Sequence, residues 1–112
     1  MPTAVARIIA DLRERGGLQG KDIANITDVS PATVSRWSSA SATPTLETQT
    51  LIAELRYIVD RLSDFYTADE ARLWLNSRHP LLNLERPIDV IRDRRTVDVL
   101  AVIERLSAGV YL

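Results

Sequence analysis

A chain of 112 residues, 46% hydrophobic and 26% charged, has the composition of a globular protein large enough for one domain, or for two small helical layers sharing a core. It holds no cysteine, which excludes disulfides and fits a reducing compartment, and no apolar run of about 18 residues, which excludes a membrane-spanning helix. A formal net charge of -1 argues against a general binder of polyanions, because such affinity comes from Lys and Arg neutralising phosphates. No basic-then-apolar leader with a small-residue cleavage site opens the chain, so the expected location is the cytoplasm.

Residues 3 to 15 carry Val5, Ile8, Ile9 and Leu12 at helical spacing, and Gly16 with Gly17 stop the helix. The next stretch, 18 to 40, reads as two short helices around a tight turn. The first runs from about Gln19 to Ile26, with Ile23 and Ile26 inward and small Ala24 where a second helix approaches. Asp28 takes the turn, since Asp tolerates left-handed backbone better than most residues. The second helix starts on Ser30, a good N-cap, with Pro31 at the first helical position, where no donor is needed. Val34 and Trp37 form its apolar stripe and leave Ala32, Thr33, Ser35 and Arg36 toward solvent. Such a face suits a DNA major groove.

Residues 41 to 45 contain Pro44 and no periodicity, and mark a loop or linker at the first composition shift. From Leu46 to about Phe65 runs the longest helical pattern, with Leu51, Ile52, Leu55, Ile58, Val59 and Leu62 on one face, a spine joining both halves. Thr67 and Glu70 form a capping-box pattern that opens a helix through Leu73, Trp74 and Leu75, with Trp74 assigned to the core. Asn76 to Asn83 break it as a loop with an apolar centre, because the residue before Pro80 is pushed out of helical geometry. Pro87 opens a short helix through Ile91, and a last helix spans about Thr96 to Ala108 before Gly109 stops it. Val110, Tyr111 and Leu112 are apolar where polar, frayed residues are the usual ending, which calls for something to cover them. No strand pattern occurs, and the expected fold is all-α: a helix-turn-helix unit over 1–45 and a second helical unit over 46–112.

Charge within residues 1 to 50 cancels: Arg7, Arg13, Arg15, Lys21 and Arg36 face Asp11, Glu14, Asp22, Asp28 and Glu47. DNA binding on such a balance calls for a dimer or a larger complex. An enzyme finds little to work with. His79 is the single histidine and reads as a loop residue bonded to backbone, four scattered glycines make no phosphate loop, and a zinc site lacks ligands. The carboxylates Asp60, Asp64, Asp69 and Glu70 read as solvated helix surface. No cofactor or metal is expected.

Trp74, Pro80, Leu84, Pro87 and Gly109 complete a pattern over nearly the whole chain, which resembles the Xre/MbcA/ParS class of bacterial antitoxins. IANITDVSPATVSRW is similar to a reduced Xre-type helix-turn-helix, and RLWLNSRHPLLNLERPIDVI leading to VLAVIERLSAGVYL to the toxin-binding domain. The resemblance implies a type II antitoxin, not an enzyme, that blocks an NAD-consuming RES-domain toxin. Its C-terminus would lie against the toxin's active-site cleft, in a hetero-oligomer that represses its own promoter. It places base contacts on Ala32, Thr33 and Arg36, phosphate contacts on Lys21, Ser38 and Ser39, a further DNA contact on Ser35, and toxin contacts on Leu81, Pro87, Gly109, Val110, Tyr111 and Leu112. Xre-type readers commonly start both motif helices with glutamine; here Gly20 and Pro31 stand there. The alternative is a stand-alone regulator that dimerises through its C-terminal helices.

Overall fold

The computed structural model describes residues 3–109, which form seven α-helices and one 3-10 turn, with no strand among them. The tail calls at Val110, Tyr111 and Leu112 lie outside the described residues.

Helix α1 (Ala4–Gly16) is started by Thr3, whose hydroxyl accepts from the Ala6 N–H at 3.0 Å, and it is closed by Gly17 in the left-handed region at φ 61. Gly17 is required twice over. A Cβ there would meet the Ala68 carbonyl oxygen at 2.8 Å, and the backbone angle itself strains any other L residue. Helix α2 (Gly20–Thr27) begins with the Gln19 N–H donating to the Asp22 carboxylate at 2.7 Å. The turn to α3 (Pro31–Ser38) passes through Asp28 at φ 59, as its sequence demands, and the Ser30 hydroxyl accepts from the Thr33 N–H at 3.2 Å. Val34 and Trp37 are buried and fix α3 against the other two helices.

The segment 41–45 is a loop held at both ends. Pro44 is buried, and its carbonyl accepts from the Gln49 side chain at 2.9 Å. Helix α4 (Leu46–Leu62) buries all six residues of its stripe and lies between α1 on one side and α7 on the other. It ends three residues short of Phe65. Ser63 caps it, Phe65 and Tyr66 close a turn onto the Leu62 carbonyl, and their rings meet edge to face at 6.4 Å.

Helix α5 (Ala68–Asn76) starts on the complete capping box: the Thr67 N–H donates to Glu70 Oε1 at 2.9 Å, and the Glu70 N–H to Thr67 Oγ1 at 3.3 Å. It buries Ala71 and Leu75. Trp74 is only partly buried: its inner edge packs on the core, and its ring centroid lies 5.8 Å from that of His79. The apolar loop after α5 contains a 3-10 turn, Pro80–Leu82, pinned by the His79 N–H donating to the Glu85 carbonyl at 3.0 Å. Helices α6 (Pro87–Arg92) and α7 (Thr96–Ser107) complete the fold. α6 packs on α2, α5 and α7, so the buried apolar residues of both halves make one continuous cluster rather than two.

Candidate functional site

The outward face of α3 is open. Ala32, Ser35, Arg36, Ser38 and Ser39 are exposed, as is Lys21 on α2, while Thr33 is half-buried. A line of hydroxyls orders this face: Ser30 and Thr33 lie 3.0 Å apart, and Thr33 Oγ1 accepts from Arg36 Nη2 at 3.0 Å. The Arg36 guanidinium is thus laid along the helix before any ligand arrives, which lowers the entropy lost on binding.

The charge balance of this half is resolved by its partners. Asp11 pairs with Arg56 at 3.1 Å, Asp22 with Arg72 at 3.4 Å, Asp28 with Arg92 at 3.4 Å and Glu47 with Arg94 at 3.7 Å. Every one of those arginines lies beyond residue 50. Among the basic residues only Arg15 is drawn off, by Asp60 at 2.9 Å. Among the described residues, Arg7, Arg13, Lys21 and Arg36 have no carboxylate within 4.0 Å, against the single unpaired acid Glu14. A half that nets to zero in sequence therefore presents positive charge. Sequence counting missed this because it cannot see across-chain pairing.

A second surface surrounds the 3-10 turn. Leu73 on α5, Leu84 and Leu81 are 69%, 59% and 43% exposed. Asn83 and Leu84 both take the left-handed region, at φ 56 and 64, a conformation costly for leucine, and Arg78 donates to the Leu84 carbonyl at 3.0 Å. Beside them a groove of about 360 Å3 opens between the turn and α7, with Leu81, Asn83, Arg95 and Arg105 on its walls. Arg95 holds Glu85 through two contacts of 2.7 and 2.9 Å, and this bond raises the guanidinium pKa above its ordinary value. His79 is shifted down by burial, and its Nδ1 accepts from the Leu81 N–H at 3.3 Å, the backbone-bonded loop role read from sequence. Leu81 and Gly109 are exposed; Pro87 is buried and serves to start α6. The exposure of Leu73 and Leu84 was missed. The signal was present: Leu73, Trp74 and Leu75 are consecutive on one helix and cannot all face inward. Among the described residues no cluster of three His, Cys, Asp or Glu side chains is placed to hold a metal, and no helix is long and apolar enough to cross a membrane.

An ordered α3 face beside a helical unit with exposed leucines defines the class, a helix-turn-helix protein carrying an appended helical module. The helix-turn-helix family model matches residues 9–55. The chain is 32% identical over 108 residues, 96% of each sequence, to the mycobacterial cidal antitoxin MbcA of Mycobacterium tuberculosis, and equally to that of Mycobacterium bovis. Its fold is similar to that in the crystal structure of the M. tuberculosis MbcT-MbcA toxin-antitoxin complex, with a TM-score of 0.86 and 31% identity over 98% of this chain and 99% of that one. The chain belongs to the MbcA family of antitoxins.

Proposed function

We propose that this antitoxin binds and blocks an NAD-consuming toxin of the RES type, acting by occlusion and not by catalysis. Residues 46–112 would carry the toxin contacts and residues 1–45 the binding of its own promoter. The observation that carries the reading is the likeness along essentially the whole chain to an antitoxin crystallised with its toxin. Leu81 and Leu84, exposed three residues apart at the 3-10 turn, and Leu73, exposed on α5, support it as apolar side chains available to a partner. Gly109 and the Val-Tyr-Leu sequence after it supply an apolar plug whose burial offers about 2 to 5 kcal/mol before ordering costs.

Autoregulation rests on the unpaired cations and the ordered Arg36. Ala32, Thr33 and Arg36 would face bases, Lys21, Ser38 and Ser39 phosphates, and Ser35 would belong to the same DNA-binding face, in a dimer whose two-fold matches the operator. The test is purification of the tagged chain from its native host. A stoichiometric partner that destroys NAD only once separated supports the reading, and deletion of Val110 to Leu112 that spares neutralisation removes the plug from it. A chain that emerges alone as a DNA-retaining dimer replaces it with a stand-alone regulator.

A further inference from the structure

Gly20 stands at the first position of α2, and the tip of the flexible Arg13 side chain lies over it. A Cβ built there lies 2.9 Å from Arg13 Nη2, so the guanidinium of α1 reaches across onto the first turn of α2, next to Lys21. Arg13 is exposed and, among the described residues, has no carboxylate within 4.0 Å, whereas Arg15 two residues on is bound to Asp60. A solvated arginine gains little by lying on backbone, which makes the position notable for what it faces. On its other side opens a groove of about 380 Å3 between α1 and α3. Ala6 and Ala10, both small, form one wall, and the hydroxyls of Ser35 and Ser38 stand on the other, flanking the exposed α3 face.

We propose that Arg13 is a DNA-phosphate contact: with Ser35 and Ser38 it seats the backbone of one strand in the groove between α1 and α3, its guanidinium lying over Gly20 at the start of α2. This rests on the DNA-binding reading above. The chemistry suits a backbone phosphate. A guanidinium fork takes the two free oxygens of a phosphodiester, the serine hydroxyls on the facing wall can donate to the same group, and the small alanines let a continuous backbone come close. The groove also runs beside the helix that carries Arg36, so one strand would lie in it while α3 reads the adjoining major groove.

The experiment measures binding of the full chain by fluorescence anisotropy, across a salt series, to a duplex from directly upstream of its gene and to a scrambled duplex of equal length. Expected for Arg13→Ala is a loss of about tenfold on both duplexes, with the slope of log affinity against log salt reduced by about one. Arg13→Lys should keep the slope. Gly20→Glu, which places a carboxylate against Arg13 at a helix start that favours acids, should lose DNA affinity with no loss in melting temperature. Wild-type affinity and slope for Arg13→Ala, in a protein whose Arg36→Ala variant binds weakly, would overturn this inference and leave DNA binding standing. Wild-type protein that binds neither duplex at low salt overturns both. An Arg13→Ala protein that holds DNA but releases its protein partner assigns the groove to an acidic protein surface instead, and overturns the phosphate role.

Discussion

The two halves of this molecule use arginine in opposite ways. Beyond residue 50 the guanidiniums are mostly engaged: Arg61 with Glu104, Arg86 with Asp89, Arg95 with Glu85, and Arg56, Arg72, Arg92 and Arg94 with acids of the first fifty residues. Before residue 50, among the described residues, only Arg15 meets a carboxylate and the others stand free, and the exposed leucines are found in the later half. Each pair is partly exposed and screened by solvent, so the set does little for folding. Its consequence is a segregated surface, positive around α3 and apolar around the 3-10 turn. Net charge is therefore a poor guide to what a small domain binds when its acids and bases are partnered unevenly.

The comparison breaks hardest if the shared core is opened. Leu55 is fully buried on α4, and Leu55→Ala should cost about 2 to 5 kcal/mol. Trp37 and Trp74 give one fluorescent probe in each half; single-tryptophan variants carrying the change should show coincident denaturation midpoints, and separated ones would mean independent units. Next in size, Arg36→Ala should weaken operator binding by about 1 to 3 kcal/mol if Arg36 reads a base, measured by anisotropy against scrambled DNA.

Asp22→Ala removes both the first-turn bond to the Gln19 N–H and the partner of Arg72, and should cost about 1 to 2 kcal/mol in chemical denaturation. A smaller effect follows pH. Burial holds the His79 pKa below 6.5, and the bond from the Thr67 N–H holds Glu70 below 4.5, so both groups bind protons more readily when unfolded. Their contributions are present at neutral pH and are lost on acidification, that of His79 as pH falls below 6.5 and that of Glu70 below 4.5. Melting curves of Glu70→Gln should lack the lower of the two losses.

Smallest is Arg92→Ala. Its bonds to Asn25 and Asp28 tie α6 to the α2–α3 turn, and stability should change by less than about 1 kcal/mol. DNA affinity should nonetheless fall, because Asp28 is left as a free negative charge beside α3. Unchanged affinity would show that pairing across the halves does not shape the positive face.

Local chemistry was legible wherever one residue does one job. Thr67 with Glu70, Ser30 with Pro31, and Asp28 at its turn each form where a short-range bond or a backbone preference dictates, and the six-residue stripe of α4 is buried as its period requires. The all-α class, the order of the elements and the family follow from such signals and from a pattern along the chain. The end of α4 was overrun by three residues because Phe65 continues an apolar period, although it packs on Tyr66 in a turn. Trp74, assigned first to the core, does pack against it, but the ring of His79 and solvent share the rest of its surface.

What the sequence could determine is what depends on neighbours within about four residues: caps, periods and breakers. What only the tertiary structure decided depends on residues tens of positions apart. Which acids meet which arginines, that the Arg13 guanidinium of α1 lies over Gly20, and that Leu73 and Leu84 face outward while Pro87 does not, are set by how α1, α4, α5 and α6 close on one core. Charge and exposure are properties of that closed surface, and a linear chain does not contain them until it folds.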